Sequence, residues 1–155
     1  MRAIGFFVSD GFQMLDLAGP AGAFEAANRE LGSPSYRIDV LAAGAGDVMN
    51  SLGIATAAAS LDDSVLDTLV VIGGWIDPRL PAYTLRRIVD ASNRCRRVAS
   101  VCTGAFALAS AGLLEVVERR RIGDLQLAFS ENIHPSGWKP IASSAGTATY
   151  GLRRA

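Results

Sequence analysis

One cysteine stands where a side chain could act as a nucleophile. Residues 96–114 read RRVASVCTGAFALASAGLL. The apolar run 98–101 is typical of a buried strand, and helix-forming residues follow at helical spacing. A strand that turns directly into a helix leaves one side chain, here Cys102, on a sharp corner, where N–H groups of the new helix favour a thiolate or an oxyanion. The same spacing also fits a free cysteine that only packs as a small buried hydrophobe.

Two other segments supply groups that such a site needs. Asp16 lies between two leucines near the start of a predicted helix, and it is either a helix cap or a functional carboxylate. Gly73 and Gly74 follow a predicted buried strand, and backbone without side chains can approach a ligand closely. These residues are the candidates for a site that includes Cys102.

Strands and helices alternate along the chain that carries these groups. Strands are predicted over residues 3–8, 36–41, 67–72 and 98–101, helices over 13–31, 83–94 and 105–114, and a small hairpin over 48–56. This order predicts an α/β fold with an open parallel, flavodoxin-like sheet and helices on both faces. Ligands bind such sheets beyond the carboxyl ends of the strands, where Asp16, Gly73, Gly74 and Cys102 converge.

The composition limits the classes of protein to which this chain could belong. A chain of 155 residues, half of them hydrophobic and 19% charged, predicts one folded domain. Fifteen basic residues balance fifteen acidic ones, so no charge excess points to nucleic acid or a membrane surface. Cys95 and Cys102 form neither a disulfide framework nor a metal-binding spacing, and we expect no metal and no cofactor. Without a leader or a long apolar run, a cytoplasmic location is expected.

Three strings give the chain a family resemblance. GFQMLDLAGPAGAFEAAN (11–28), VVIGG (70–74) and RRVASVCTGAFALASAGLL (96–114) resemble the ThiJ/PfpI group of the class I glutamine amidotransferase-like superfamily. The likeness extends over about residues 1–115, which we expect to form the α/β domain. It is closest to the N-terminal domain of AraC-type transcriptional regulators and also to isocyanide hydratases.

The resemblance implies a role for each candidate residue. Cys102 would be the elbow cysteine, and Asp16 would be the carboxylate beside its sulfur. Gly73, Gly74 and Thr103 would contact the ligand, with the amides of Gly74 and Thr103 as oxyanion-type donors. In enzymes of the group such a cysteine attacks an electrophilic carbon. In the regulators the pocket senses a ligand, a separate helix-turn-helix domain contacts DNA, and the family likeness implies a homodimer.

The likeness stops after Glu115. The family pattern there reads LL-x-GRRATTHW, whereas residues 116–123 of this chain read VVERRRIG. If the reading frame slipped by one base at Glu115, residues 116–123 are compatible with GRRATTHW. In the same frame residues 138–155 are compatible with MEADRIFSRDGNVWTSAG, which also resembles the regulators' domain. We therefore hypothesise that residues 116–155 are an out-of-frame, poorly structured tail.

This hypothesis has structural consequences. His134 precedes Pro135 and is then a loop residue rather than the family's active-site histidine. The family's last strand and helix would be missing, which leaves the domain incomplete, with apolar surface and an unpaired sheet edge.

Three functions follow from these observations, in order of preference. The first is a ligand-sensing regulatory domain, truncated before its helix-turn-helix, that binds a small molecule and makes no contact with nucleic acid or membrane. The second is a cysteine-dependent hydratase or hydrolase with Asp16 as the acid near the sulfur. The third is a redox-sensing or repair module that uses an oxidisable thiol. The resemblance favours a protein that is not an enzyme.

Overall fold

The structure is a computed structural model, and it describes residues 1–74, 80–114, 139–141 and 150–153. The strands are β1 (Arg2–Phe7), β2 (Tyr36–Ala42), β3 (Gly46–Met49), β4 (Ala55–Ser60), β5 (Thr68–Ile72), β6 (Arg97–Val101), β7 (Lys139–Ile141) and β8 (Tyr150–Arg153). The helices are α1 (Met14–Glu30), α2 (Ala82–Arg94) and α3 (Gly104–Ser110). The predicted alternation of strands and helices is confirmed.

In the described part of the chain the strands form one sheet in the order β3-β4-β2-β1-β5-β6-β8-β7. Its central strands, from β4 through β2, β1 and β5 to β6, are parallel. In this register Phe6 of β1 lies opposite Val40 on one side and Val70 on the other. The predicted hairpin is present, because β3 pairs antiparallel with β4. The predicted open α/β sheet is thereby confirmed.

Both faces of the sheet are covered by helices. All five residues of β5 are buried, and they alternate between two apolar layers, with Leu69 and Val71 in one and Val70 and Ile72 in the other. The first layer contains α2 and α3, and the second contains α1. The helices contribute Ile88 and Ala91 from α2, Ala107 and Leu108 from α3, and Met14, Leu17, Ala21 and Phe24 from α1.

Helix α1 is fixed to the sheet at its carboxyl half. The Phe24 ring packs at 6.2 Å from that of Phe6 and at 5.0 Å from that of Tyr36, centroid to centroid. The Asn28 side chain donates to the carbonyl of Tyr36 at 2.7 Å and accepts from its N–H at 2.8 Å. These contacts hold the helix that carries Asp16.

Two helix ends differ from the sequence prediction. Helix α1 has Gln13 at its N-cap position, so Asp16 lies inside the first turn and its interpretation as a cap is wrong. Helix α3 ends at Ser110 rather than at residue 114, because Gly112 follows with a φ of 71°. A glycine in this left-handed conformation is a common helix stop.

The edge of the sheet beside β6 also differs from expectation. Strand β8 pairs antiparallel with β6, and β7 pairs with β8. The prediction that β6 has an unpaired edge is therefore wrong, because two strands from the tail lie there. The predicted loop histidine, His134, lies outside the described residues.

Candidate functional site

Cys102 occupies the corner between β6 and α3. Its φ is 53°, and it alone among the non-glycine residues of the described chain has a positive φ. An L-residue in this conformation costs about 1–2 kcal/mol, and such strain is concentrated at functional sites. Cys102 as a whole residue is exposed, although its thiol is partly desolvated. The sharp strand-to-helix turn predicted from the sequence is therefore present.

Three glycines allow the end of β5 to meet the start of α3 and the turn after β1 backbone to backbone. A Cβ on Gly73 would lie 2.6 Å from the amide nitrogen of Thr103 and 2.7 Å from that of Gly104. A Cβ on Gly104 would collide with the carbonyl oxygen of Val71, and one on Gly74 would lie 2.5 Å from that of Gly11. Side chains are excluded at these positions because the neighbouring atoms are backbone.

The Thr103 hydroxyl links the elbow to the diglycine. The N–H of Gly74 donates to Thr103 Oγ1 at 2.9 Å, and the same hydroxyl donates to the carbonyl of Gly74 at 2.9 Å. The single amide hydrogen of Gly74 is therefore engaged within the protein. The role of the Gly74 amide as an oxyanion donor stays a prediction. This role requires that the hydrogen bond from the Gly74 N–H to Thr103 Oγ1 break.

The start of α1 is joined to the same corner. The N–H of Gln13 donates to the carbonyl of Gly73 at 2.9 Å, and Phe12 bridges to Gly74 on one side and to Asn50 on the other. These backbone contacts bring the first turn of α1, with Asp16, to the end of β5. The structure thus gathers Asp16, Gly73, Gly74, Cys102 and Thr103 at one edge of the sheet.

The electrostatics of the elbow raise the pKa of the Cys102 thiol. Burial raises the pKa of Cys102 above its ordinary value, and the nearby carboxylate of Asp16 raises it further, whereas hydrogen bonding from the Thr103 N–H acts in the opposite direction. One oxygen of Asp16, Oδ2, is buried without a hydrogen-bond partner. Since the thiolate is the nucleophilic form of cysteine, this environment does not prepare Cys102 for attack at neutral pH.

A cavity of about 380 Å³ opens beside the elbow. Gly73, Gly74 and Thr103 line it, whereas neither Cys102 nor Asp16 does. Its other polar lining groups are Ser9, Asp10, Asp47, Tyr83 and Thr84. The sequence analysis missed these five residues. A signal existed for Ser9 and Asp10, because they follow the predicted strand 3–8 at the carboxyl edge of the sheet.

The remaining expectations concern metals, membranes and the other cysteine. The described residues contain no group of three or more His, Cys, Asp or Glu side chains that could hold a metal ion. Within the same residues, none of the helices has the length and apolar character to cross a bilayer. Cys95 is buried in the core, and burial raises its pKa to about 11, which agrees with a structural role.

Comparison with known families shows the family of the chain. Residues 2–121 match the model of the DJ-1/PfpI family. The chain belongs to the DJ-1/PfpI family. The resemblance to the ThiJ/PfpI group is thereby confirmed, and the matched segment extends six residues past the boundary predicted at Glu115.

The proteins with similar sequences include a transcriptional regulator. An uncharacterised protein from the 5′ region of cpoL in Streptomyces lividans is 42% identical over 112 residues, which are 70% of this chain and 78% of that protein. The HTH-type transcriptional regulator GlxA of Rhizobium meliloti is 34% identical over 122 residues, which are 74% of this chain and 37% of the regulator. The chain thus spans little more than a third of that regulator's length.

A solved structure of the same family supports the fold. The crystal structure of a ThiJ/PfpI family protein from Pseudomonas syringae superimposes with a TM-score of 0.64 at 27% sequence identity. The match covers 74% of this chain and 47% of that one. The shared fold therefore includes the described domain and less than half of the neighbour.

Proposed function

We propose that this chain is a ligand-sensing domain that resembles the N-terminal half of an AraC-type transcriptional regulator. In this proposal a small molecule binds in the cavity beside the elbow, against the backbone of Gly73 and Gly74 and the side of Thr103. The chain itself makes no contact with nucleic acid, and it acts in the cytoplasm as a homodimer. Its relationship to an HTH-type regulator over 74% of its length supports the proposal.

The observation that carries the proposal is the open cavity lined by Gly73, Gly74 and Thr103 beside the elbow, and the raised pKa of Cys102 argues against covalent chemistry there. A thiol whose pKa is raised by burial and by a nearby carboxylate is a weak nucleophile, which disfavours covalent attack by Cys102. The polar groups that line the cavity provide donors and acceptors to orient that molecule. Binding without covalent chemistry is the function that these surroundings favour.

A cavity-blocking variant tests the sensing proposal. Gly44 lines the cavity, and a Cβ added there would meet nothing within 4 Å, so Gly44→Leu should fold and occupy the opening. A thermal-shift screen of small polar metabolites should find at least one compound that stabilises the wild type but not Gly44→Leu. Gly22→Leu is the matched control, because a Cβ at Gly22 on α1 also meets nothing within 4 Å. Undiminished stabilisation of Gly44→Leu would contradict the proposal.

The second candidate is a cysteine-dependent hydratase or hydrolase. The exposed thiol on a left-handed corner favours it, because this geometry presents Sγ to a substrate. Asp16 would then take the proton of the thiol and return it to the product. Hydration of cyclohexyl isocyanide by the wild type and by Cys102→Ala separates the two functions. We expect equal, background rates, and turnover lost in Cys102→Ala would favour the enzyme instead.

A further inference from the structure

The hydroxyl of Thr103 is bound to the backbone of Gly74, where the end of β5 meets the start of α3. It accepts the Gly74 N–H at 2.9 Å, and it donates its one hydrogen to the Gly74 carbonyl, also at 2.9 Å. Gly73 leaves space for this hydroxyl, because a Cβ at that position would lie 2.5 Å from Thr103 Oγ1. One side chain therefore engages both backbone polar groups of Gly74.

The two amides predicted to hold a negative charge at the elbow, those of Gly74 and Thr103, are both engaged within the protein. The Gly74 N–H is directed to Thr103 Oγ1. Burial raises the pKa of Cys102, whereas hydrogen bonds from the N–H and the side chain of Thr103 lower it, so both of these groups lie within hydrogen-bond reach of the sulfur. An anionic group that reached the elbow would find both amides occupied, and a negative charge without a donor is disfavoured.

The contact between Thr103 and Gly74 borders the cavity. Both residues line the cavity, so this contact forms part of the surface that a bound molecule meets. Thr103 Oγ1 uses one lone pair for the Gly74 N–H and has a second one left. The carboxylate of Asp16 lies close enough to the elbow to raise the pKa of Cys102 in addition to burial. A lone pair and a carboxylate repel negative charge, but they do not repel a neutral group.

We propose that Thr103 is a specificity-determining residue, whose hydroxyl closes the elbow side of the cavity to anionic groups because it occupies the Gly74 amide. The molecule that binds in the cavity then presents an uncharged group to the elbow. This inference rests on the proposed function, because it assumes that the cavity is the ligand site. It adds the charge class that the elbow accepts and the residue that selects it.

Alkylation of Cys102 by iodoacetate and by iodoacetamide tests this inference on the full chain. In both reactions the thiolate sulfur displaces iodide and forms an S–C bond, and the reagents differ in placing a carboxylate or a neutral amide next to the sulfur. The ratio of the two rates at one pH therefore does not depend on the thiolate fraction. Thr103→Ala frees the Gly74 N–H, so we expect the iodoacetate-to-iodoacetamide ratio to rise at least about threefold. Thr103→Ser retains the hydroxyl and is the matched control, for which we expect the wild-type ratio.

Peptide mass spectrometry of Cys102 gives both rates, and thermal denaturation establishes that each variant is folded. A purely structural role of Thr103 would change both rates by the same factor. An unchanged ratio in Thr103→Ala, or an equal rise in Thr103→Ser, would overturn the inference. Thr103→Val, which also lacks the hydroxyl, replaces Thr103→Ala if that variant does not fold. The proposed function is tested separately, because it fails if Gly44→Leu retains ligand-induced stabilisation, whatever the ratio of the alkylation rates.

Discussion

Cys95 and Cys102 lie just before and just after the same strand, β6, and their surroundings differ. Cys95 follows α2 and is buried in the layer formed by α2 and α3, where the loss of solvation raises its pKa to about 11. Cys102 precedes α3, is exposed, and holds a left-handed backbone. The two thiols show that position along a parallel strand, rather than residue type, decides which cysteine is available for binding or chemistry.

The two ends of the parallel strands differ as the two cysteines do: the amino end is closed, and the carboxyl end is open. We call these ends the amino edge and the carboxyl edge. At the amino edge, Arg96 donates to both oxygens of Asp67 at 2.7 and 2.8 Å, and the N–H groups of Arg96 and Arg97 donate to the Asp67 carbonyl. At the carboxyl edge, the backbone of Gly73 and Gly104 is packed tightly next to an open cavity. The amino edge is closed by side-chain contacts, whereas the carboxyl edge leaves space for a ligand.

The largest effect is expected from adding a methyl group at the crossing of β5 and α3. In Gly104→Ala the new Cβ meets the carbonyl of Val71, which as part of the central strand cannot move away. We expect a loss of about 3 kcal/mol in the free energy of unfolding, measured with urea. Gly22→Ala, in an open part of α1, should be neutral or stabilising by up to about 1 kcal/mol. Equal stability of the two variants would show that the crossing is not tightly packed.

A smaller effect is expected at the elbow when its carboxylate is neutralised. In Asp16→Asn the charge that helps to raise the Cys102 pKa is lost, so the thiolate fraction at pH 7.5 should increase about threefold. The rate of iodoacetamide modification of Cys102, followed by peptide mass spectrometry, measures this change. Glu25→Gln on the same helix should leave the rate unchanged, since Glu25 pairs with Arg29. A slower reaction in Asp16→Asn would contradict the electrostatic account.

The smallest effect is expected at the amino edge. Hydrogen bonding from Arg96 holds the pKa of Asp67 below its usual range, so this carboxyl stabilises the fold above the pKa of the unfolded chain, about 3.9. That contribution is lost as the pH falls through the folded pKa. Asp67→Asn should therefore be slightly less stable than the wild type at pH 6, and the difference should shrink below pH 4. The pair is exposed and screened, so the difference is small. A difference that grows on acidification would contradict this sign.

Most of the fold follows from local patterns in the sequence. The apolar runs of β1, β5 and β6 and the helical spacing of α1 and α2 are long enough to identify these elements, and their alternation indicates a parallel sheet. The gathering of Asp16, Gly73 and Cys102 follows from this topology, because the carboxyl ends of parallel strands meet. The length of α3 was overestimated although Gly112 was visible as a helix stop, and the pairing of β8 with β6 was not predicted.

The lining of the cavity could not be predicted in this way. Asp10 and Asp47 line the same cavity because the hairpin folds back onto the turn after β1, where Met49 hydrogen-bonds with Asp10 and Gly11. The bond between Gly74 and Thr103 joins residues 29 positions apart. Such contacts depend on register and side-chain direction, which the periodicity of a single sequence does not specify.

The origin of residues 116–155 is a separate hypothesis. We propose that residues 116–155 derive from a shifted reading frame, because two segments fit family strings in one alternative frame. Resequencing the gene tests this, and we expect one base to be missing at the Glu115 codon relative to related genes. An intact frame from Glu115 to Val117, in a genome without an in-frame homologue, would refute the shift.

The central claim is that the elbow thiol lies beside a ligand site without lining it and is not a ready nucleophile. The pH dependence of iodoacetamide modification of Cys102 in the wild-type chain tests it most directly, with unreacted Cys95 as the internal reference. We predict a midpoint above the ordinary cysteine value of about 8.5. A midpoint near or below pH 7 would show a thiolate at neutral pH and would contradict the account.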